Sequence, residues 1–150
     1  MDRLKNVEGA SHVIGEQRNR NLGKMQSVSK FLEILSKGTI NITTYRKAGE
    51  EVHTPVWIVN IDGRGYIRTS MKAGKIKRIR GNSNVIIAPC TSRGKITGDK
   101  VRAKAVVIEP MKDEYKTINK KFRNKYKLMY YLIMWKNNLT GVTSAVIRLS

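Results

Sequence analysis

Residues 52–69, VHTPVWIVNIDGRGYIRT, decide the fold because they contain two β-strand patterns around a tight turn. Positions 52–61 are rich in β-branched and aromatic residues, and the returning segment 65–69 has the same character. Asp62-Gly63 between them is a strong hairpin signal. Pro55 lies inside the first strand, and because proline lacks an N–H, we expect a bulge or a local break in pairing there.

Similar patterns lie on both sides of this hairpin. Further strands are predicted at 39–45, 84–90, 101–109 and 142–149, which makes six in total. Helices are predicted at 28–35, within 70–81, at 112–127 and at 128–135, followed by a loop at 137–141. Mostly antiparallel strands in a chain of 150 residues favour one mainly β domain, a closed or split antiparallel β-barrel with peripheral helices. We expect residues 28–150 to form this domain and residues 1–27 to form an N-terminal arm or short helix.

The net charge is +19, from 30 lysines and arginines against 11 acidic residues. Twelve basic residues and one acid, Asp99, lie between positions 63 and 108, so the excess belongs to the strand-forming region rather than to a tail. Such a chain attracts polyanions, which include nucleic acid, anionic lipid and a phosphorylated cofactor or substrate. The single cysteine excludes an internal disulfide framework. One cysteine and two histidines in the whole sequence are too few ligands for a zinc finger or zinc ribbon.

The sequence carries no signal for insertion into a membrane. Its longest apolar run, residues 128–135, is shorter than a spanning helix, and residues 1–15 lack the apolar segment of a signal peptide. We therefore expect a cytoplasmic protein without a membrane partner.

The richest chemical cluster is Arg68-Thr69-Ser70, followed by Gly74-Lys75 and Arg78. Hydroxyls, a glycine-containing backbone, a helix N-terminus and two or three cations can together hold a phosphate. A solvated basic loop explains the same residues, and both interpretations stay open at this point.

Other motifs have equally ordinary explanations. The segment 54–57 is either core with a bulge or a strand whose freed backbone faces a flat ligand. Tyr130, Tyr131 and Trp135 suit a core or subunit interface, or the stacking of a ring. Cys90 suits a small buried apolar residue. Because no catalytic pair of side chains is evident, we expect a cofactor to carry the chemistry if the protein is an enzyme.

Four stretches occur in the order of a known family: TTYRKAGEEVHTPVW (43–57), YIRTSMKAGKIKRIRGN (66–82), VIIAPCTSRGKITGD (85–99) and FRNKY (122–126). Together they resemble the split-barrel flavin-binding superfamily of the pyridoxamine 5′-phosphate oxidases. They are most similar to its branch of deazaflavin (coenzyme F420)-dependent oxidoreductases. The resemblance runs from residue 38 to residue 149 and implies a six-stranded split barrel and a homodimer, with the cofactor in a groove at the subunit interface.

The resemblance also implies roles for individual residues. Arg68 and Thr69 match a pair that contacts the cofactor phosphate, and Gly74 and Lys75 match a second such pair. Arg78 is an additional cation. The strand whose backbone lines the cofactor ring corresponds to Thr54, Pro55, Val56 and Trp57. No catalytic side chain and no metal ligand are implied.

The implied function is an oxidoreductase that uses coenzyme F420 to transfer hydride to or from a small organic substrate. The alternative is an FMN-binding protein or FMN-dependent oxidoreductase of the same fold, and a storage protein for FMN or haem is a related possibility. The acidic tail of the deazaflavin suits the positive charge. Vitamin B6 oxidation is not expected, because only Arg148 stands where the oxidases carry a C-terminal arginine and histidine motif. A nucleic-acid-binding β-barrel is more remote, since aromatic residues make up only 7% of the chain.

Overall fold

A computed structural model describes residues 2–109, 111–140 and 144–150. Within these residues the chain forms three helices and seven strands. The helices are α1 (Asp2–Leu35), α2 (Gly74–Gly81) and α3 (Lys112–Thr140). The strands are β1 (Thr39–Tyr45), β2 (Glu51–Trp57), β3 (Val59–Ile61), β4 (Arg64–Ser70), β5 (Asn84–Pro89), β6 (Val101–Ile108) and β7 (Ser144–Leu149). They form one sheet in the order β2-β1-β5-β6-β7-β4-β3, and every pairing is antiparallel.

Strand β6 joins the two halves of this sheet. Its residues 101–104 pair with β5, and its residues 105–108 pair with β7. The sheet curls into a half-barrel around an apolar core that includes the fully buried Ile42, Ile67 and Ile147. The mainly β, antiparallel class predicted from the sequence is confirmed.

The number of strands is seven rather than six, because the predicted strand 52–61 is divided at Ile58. The expected bulge or break at Pro55 is wrong. Pairing between β1 and β2 runs without interruption from Thr39 opposite Trp57 to Tyr45 opposite Glu51. The physical reason is that β2 is an edge strand, where the proline nitrogen can face away from its neighbour and no ladder hydrogen bond is lost.

The break at Ile58 is held by side chains from α3. The Tyr126 hydroxyl accepts a hydrogen bond from the Ile58 N–H at 2.9 Å and lies 2.6 Å from the Gly38 carbonyl oxygen, to which it can donate. The Lys125 ammonium donates to the carbonyl oxygens of Ile58 and Lys37, each at 2.6 Å. Burial raises the pKa of Tyr126 to about 12, so its hydroxyl keeps its proton at neutral pH. The backbone polar groups at the break are therefore satisfied without a sheet partner.

The N-terminal helix is much longer than the predicted helix 28–35. It begins at Asp2 and continues to Leu35, and most of its side chains are exposed. Its last turns pack on the body of the protein, where Ile34 and Leu35 are buried and Phe31 lies against the core. The division between residues 1–27 and 28–150 stays a prediction.

The predicted helices 112–127 and 128–135 both lie within α3. Two helical segments meet here at a kink, as the sequence predicts, because Lys127 has the non-helical angles φ 46° and ψ −119°. The predicted loop 137–141 is helical as far as Thr140, and position 141 lies outside the described residues. In α2, Ile76 and Ile79 are both buried, which agrees with their spacing in the sequence.

Candidate functional site

A cavity of about 410 Å³ lies between β2, β4, α2 and α3. We call it the Arg68 pocket. Six of the nine predicted site residues line it, namely Pro55, Val56, Trp57, Arg68, Thr69 and Lys75. The curl of the sheet brings β2 to β4 across the pocket, although the two strands are not neighbours in the sheet. The fold thus collects residues that are far apart in the sequence.

In the described part of the chain, the guanidinium of Arg68 is held by neutral groups. Its Nη1 donates to the Tyr130 hydroxyl at 3.3 Å and to the Met134 sulfur at 3.4 Å. Its Nη2 donates to the Tyr115 hydroxyl at 3.1 Å and to Ser144 Oγ at 3.2 Å. The Nε is buried and has no hydrogen-bond partner among the described residues. A half-buried cation that is surrounded by neutral groups and lines a cavity can attract an anion.

Lys75 provides a second cation on the same wall. Its ammonium donates to Thr69 Oγ1 at 2.9 Å, which links the first turn of α2 to the end of β4. Burial, and to a smaller extent the positive charge of Arg78, lower the pKa of Lys75. Ala73, the residue that precedes α2, supplies no side-chain cap for the first N–H groups of the helix. These donors add to the positive potential around Lys75.

The two cations are not paired with a carboxylate in the described part of the chain. Among the residues that the structure describes, the ion pairs involve neither Arg68 nor Lys75. Burying a charge without an opposite charge costs free energy, so such a pair of cations is typical of a site that an anionic ligand completes.

Aromatic and apolar side chains form the rest of the pocket lining. Trp57 stacks on Tyr126 with ring centroids 4.2 Å apart, and Tyr126 in turn stacks on Phe122. Ile133 and Met134 of α3 also line the pocket. The pocket therefore has one cationic wall and one wall suited to a flat ring.

The other three predicted site residues lie outside the Arg68 pocket. Gly74 and Arg78 line a second cavity beside α2, together with Arg46, Lys47 and Lys77. The Arg78 guanidinium lies against Gly74, because a Cβ at Gly74 would come 2.7 Å from its Nη1, and its Nε donates to Thr44 Oγ1 at 2.7 Å. Thr54 is half-buried in β2 and lines neither cavity.

Sequence reasoning missed the groups that hold Arg68. Tyr115, Tyr130, Met134 and Ser144 come from α3 and β7, more than 45 positions further along the chain. A signal was present, because Phe122, Tyr126, Tyr130 and Met134 follow one another at intervals of four, which places them on one side of a helix.

Other candidates carry no reactive chemistry. Burial raises the pKa of the Cys90 thiol, which disfavours the nucleophilic thiolate. His53 lies on β2, with Nδ1 2.9 Å from Thr43 Oγ1 and Nε2 3.4 Å from Glu51 Oε2, outside the Arg68 pocket. The described residues contain no group of three or more histidine, cysteine or acidic side chains able to hold a metal ion. No helix in the described part of the chain is long and apolar enough to cross a membrane.

Comparison with solved structures supports the split-barrel architecture. The haem storage protein HutZ from Vibrio cholerae has a TM-score of 0.59 and 12% identity, covering 82% of this chain and 86% of its own. A candidate pyridoxamine 5′-phosphate oxidase from Listeria innocua has a TM-score of 0.51 and 12% identity, covering 82% and 91%. A candidate 5-nitroimidazole antibiotic resistance protein from Bacteroides thetaiotaomicron has a TM-score of 0.55 and 14% identity, covering 77% and 74%. No protein-family model and no curated protein sequence matches this chain. The neighbours therefore establish the fold alone.

Proposed function

We propose that the Arg68 pocket binds a phosphorylated flavin-type cofactor and that the protein is an oxidoreductase. We assign coenzyme F420 as the cofactor and a small organic molecule as the substrate. The observation that carries this proposal is the convergence of Arg68 and Lys75 on one pocket wall without a described carboxylate partner.

The cationic wall supports a phosphate position. Arg68 supplies a guanidinium, Thr69 supplies a hydroxyl, and the Lys75 ammonium lies 2.9 Å from that hydroxyl. All three side chains line the same cavity. Charge-assisted hydrogen bonds of this kind are the strong ones in phosphate recognition. We expect the phosphate to use Arg68, Thr69 and Lys75 together.

The second wall supports a ring position. The backbone and side chains of β2 at residues 55–57 lie across the pocket from Arg68, and Trp57 is kept in place by its stack on Tyr126. A flat tricyclic ring gains dispersion energy and excludes water when it lies against such a wall. Among the fold neighbours, one is named a candidate pyridoxamine 5′-phosphate oxidase and another a haem storage protein, so this proposal rests on the pocket rather than on them.

The preference for the deazaflavin over FMN rests on charge. The deazaflavin carries an acidic tail beyond its phosphate, whereas FMN ends at the phosphate. The second cavity, lined by Arg46, Lys47, Lys77 and Arg78, lies on the same helix as Lys75 and supplies four basic side chains. The net charge of +19 adds a long-range attraction for a polyanionic ligand.

The chain itself contributes binding and orientation rather than acid–base chemistry. A bound deazaflavin would supply the chemistry of hydride transfer, to or from the substrate. Arg68 and Lys75 fix the phosphate, while Trp57 and Val56 position the ring and Ile133 and Met134 exclude water from it. We also propose that a second copy of the chain covers the exposed side of the pocket at Pro55 and Ser92.

A paired titration tests the proposal. Purified, cofactor-free protein is titrated with F420 and with FMN at moderate salt, and ring fluorescence and stoichiometry are recorded. We expect saturable binding of one F420 per subunit, tighter than FMN. Tighter binding of FMN would keep the pocket and replace the electron carrier, and saturable binding of neither would overturn the proposal.

A matched pair of variants tests the site. Arg68→Met removes the pocket cation, whereas Arg64→Met removes an exposed cation from the same strand. We expect Arg68→Met to weaken cofactor binding by about 1.5–3 kcal/mol, the range typical of a hydrogen bond to a charged group. Arg64→Met should leave cofactor binding unchanged. Equal effects of the two substitutions would contradict the site assignment.

A further inference from the structure

The distal segment of α3, residues 128–136, exposes large apolar side chains to solvent. Tyr130 and Met134 face the Arg68 pocket, where both contact Arg68. The remaining large apolar residues are exposed: Leu128, Met129, Tyr131, Leu132, Ile133 and Trp135. Leu128 is 71% exposed and Trp135 is 66% exposed. The segment is therefore apolar on its outer side as well as on the side that packs against the protein.

The spacing of these residues forms one continuous outer face. Leu128, Leu132 and Trp135 follow the i, i+4, i+7 pattern of a helix face, opposite to the side of Tyr130 and Met134. A helix that is apolar all round is normally covered on all sides. Contiguous exposed apolar patches of this kind mark interaction sites rather than ordinary surface.

After its first turn, α3 carries charges of a single sign, most of them before the distal segment. Seven basic residues and no acid lie between positions 115 and 140, and no acidic residue follows Glu114 in the whole sequence. Most of these basic side chains are exposed, among them Lys120, Lys121 and Lys127. A partner for this face must therefore combine an apolar interior with a negatively charged surface.

We propose that the distal segment of α3 docks on an anionic lipid surface. Tryptophan and tyrosine favour the boundary between acyl chains and headgroups, and lysines extend from an apolar helix to reach lipid phosphates. A fluid bilayer can surround a convex helix that is apolar over most of its circumference. This contact is peripheral and does not depend on which cofactor the pocket binds. It replaces the sequence-based expectation that no membrane takes part.

A second copy of the chain suits this face less well. A symmetric contact through this face would bring the basic residues of α3 from both copies to one interface. Like charges brought together across an interface oppose association. Anionic lipid supplies the opposite charge at every point of the contact.

Vesicle flotation tests the proposal with the full-length protein. The probes are vesicles of phosphatidylcholine and vesicles of phosphatidylcholine mixed with phosphatidylglycerol. We expect binding to the anionic vesicles only, weakened by added salt. Leu128→Ser should reduce partitioning about tenfold, because one large apolar side chain no longer enters the lipid. Met25→Ser is the matched control, since Met25 is 67% exposed on α1, and it should leave partitioning unchanged.

Trp135 provides a direct report of the contact. We expect the fluorescence of the native protein to shift to shorter wavelength on anionic vesicles, and Trp135→Phe to remove that shift while binding persists. Binding that is absent, equal on neutral vesicles, or equally weakened by Met25→Ser would overturn the proposal. So would a dimer in sedimentation analysis that Leu128→Ser dissociates, since a second copy would then cover the face.

Discussion

The rings of Trp57 and Tyr126 stack face to face, with centroids 4.2 Å apart and planes within 3° of parallel. Tyr126 uses its hydroxyl at the same time to bind the backbone of Ile58, between β2 and β3. One side chain of α3 therefore supports both the ring wall of the Arg68 pocket and the break in the sheet. The two functions of Tyr126 can be separated by removing the hydroxyl and keeping the ring.

Tyr126→Phe should destabilise the protein by about 1–3 kcal/mol, because the buried Ile58 N–H loses its partner. The stack on Trp57 should persist. The free energy of unfolding in urea measures the effect. Tyr131→Phe is the control, since Tyr131 is exposed, and its change should stay within about 0.5 kcal/mol. A similar small change in both variants would mean that water replaces the hydroxyl at Ile58.

Lys127→Gly should stabilise the protein, although glycine normally weakens a helix. Lys127 has φ 46° and ψ −119°, a conformation that glycine adopts readily and that costs other residues about 1–3 kcal/mol. Thermal unfolding measures the change. Lys121→Gly, at an exposed position of the same helix, should instead cost about 1 kcal/mol. Destabilisation by both variants would show that the backbone at Lys127 is regular helix in solution.

Lys75→Ala should weaken cofactor binding by about 1.5–3 kcal/mol, the range for a hydrogen bond to a charged group. The reason is that Lys75 lines the pocket and lies beside Thr69. Fluorescence titration with F420 and FMN measures the loss. Lys121→Ala removes an exposed lysine of α3 and should change the affinity little. Equal losses would indicate diffuse charge attraction rather than a defined phosphate position.

Cofactor affinity should begin to fall at a lower pH than it would if Lys75 had the pKa of an ordinary lysine. Burial and the nearby Arg78 lower the pKa of Lys75, and phosphate binding requires its charged form. Affinity is therefore complete below this lowered pKa and declines as pH rises through it. The phosphate is fully ionised above about pH 8, so it does not contribute to the change. Titrations across the alkaline range measure the decline.

Lys75→Arg is the control for this pH dependence, because a guanidinium stays charged throughout. Its affinity should remain constant over the range in which the native protein loses affinity. The same pKa shift also affects stability. The unfolded chain holds the Lys75 proton more tightly, so burial of the ammonium opposes folding at neutral pH, and this penalty disappears as pH rises toward the unfolded pKa. A parallel decline in the Lys75→Arg variant would assign the pH dependence to another group.

Most strands could be predicted from local sequence because their determinants are local. The Asp62-Gly63 turn is an example: both residues have positive φ, at 52° and 79°, as the hairpin signal requires. The break at Ile58 could not be predicted in this way. It depends on Tyr126 and Lys125, which are 68 and 67 positions away and replace the missing sheet partners. Pro55 misled the prediction because an edge position, which tolerates proline, is a property of the whole sheet.

The candidate site, like the fold, could be predicted from local sequence only in part. The grouping of Arg68, Thr69 and Lys75 follows from a strand end joined directly to a short helix, so the sequence was sufficient to collect them. The neutral environment of Arg68 was not predictable, since its partners come from α3 and β7. Arg78 lies only three residues beyond Lys75, yet it lines a different cavity, where its Nε donates to Thr44 Oγ1 of β1. Whether these residues bind a cofactor stays a prediction.

The position of Pro55 on an outermost strand also bears on aggregation. An open sheet edge offers unpaired N–H and C=O groups to which a strand from another molecule can add. One edge of this sheet is β2, where Pro55 removes a donor, and the other is β3, which is only three residues long. Both ends of the sheet are thereby poor templates for the addition of a further strand. These two edge strands therefore protect the protein against polymerising by the addition of strands from other molecules.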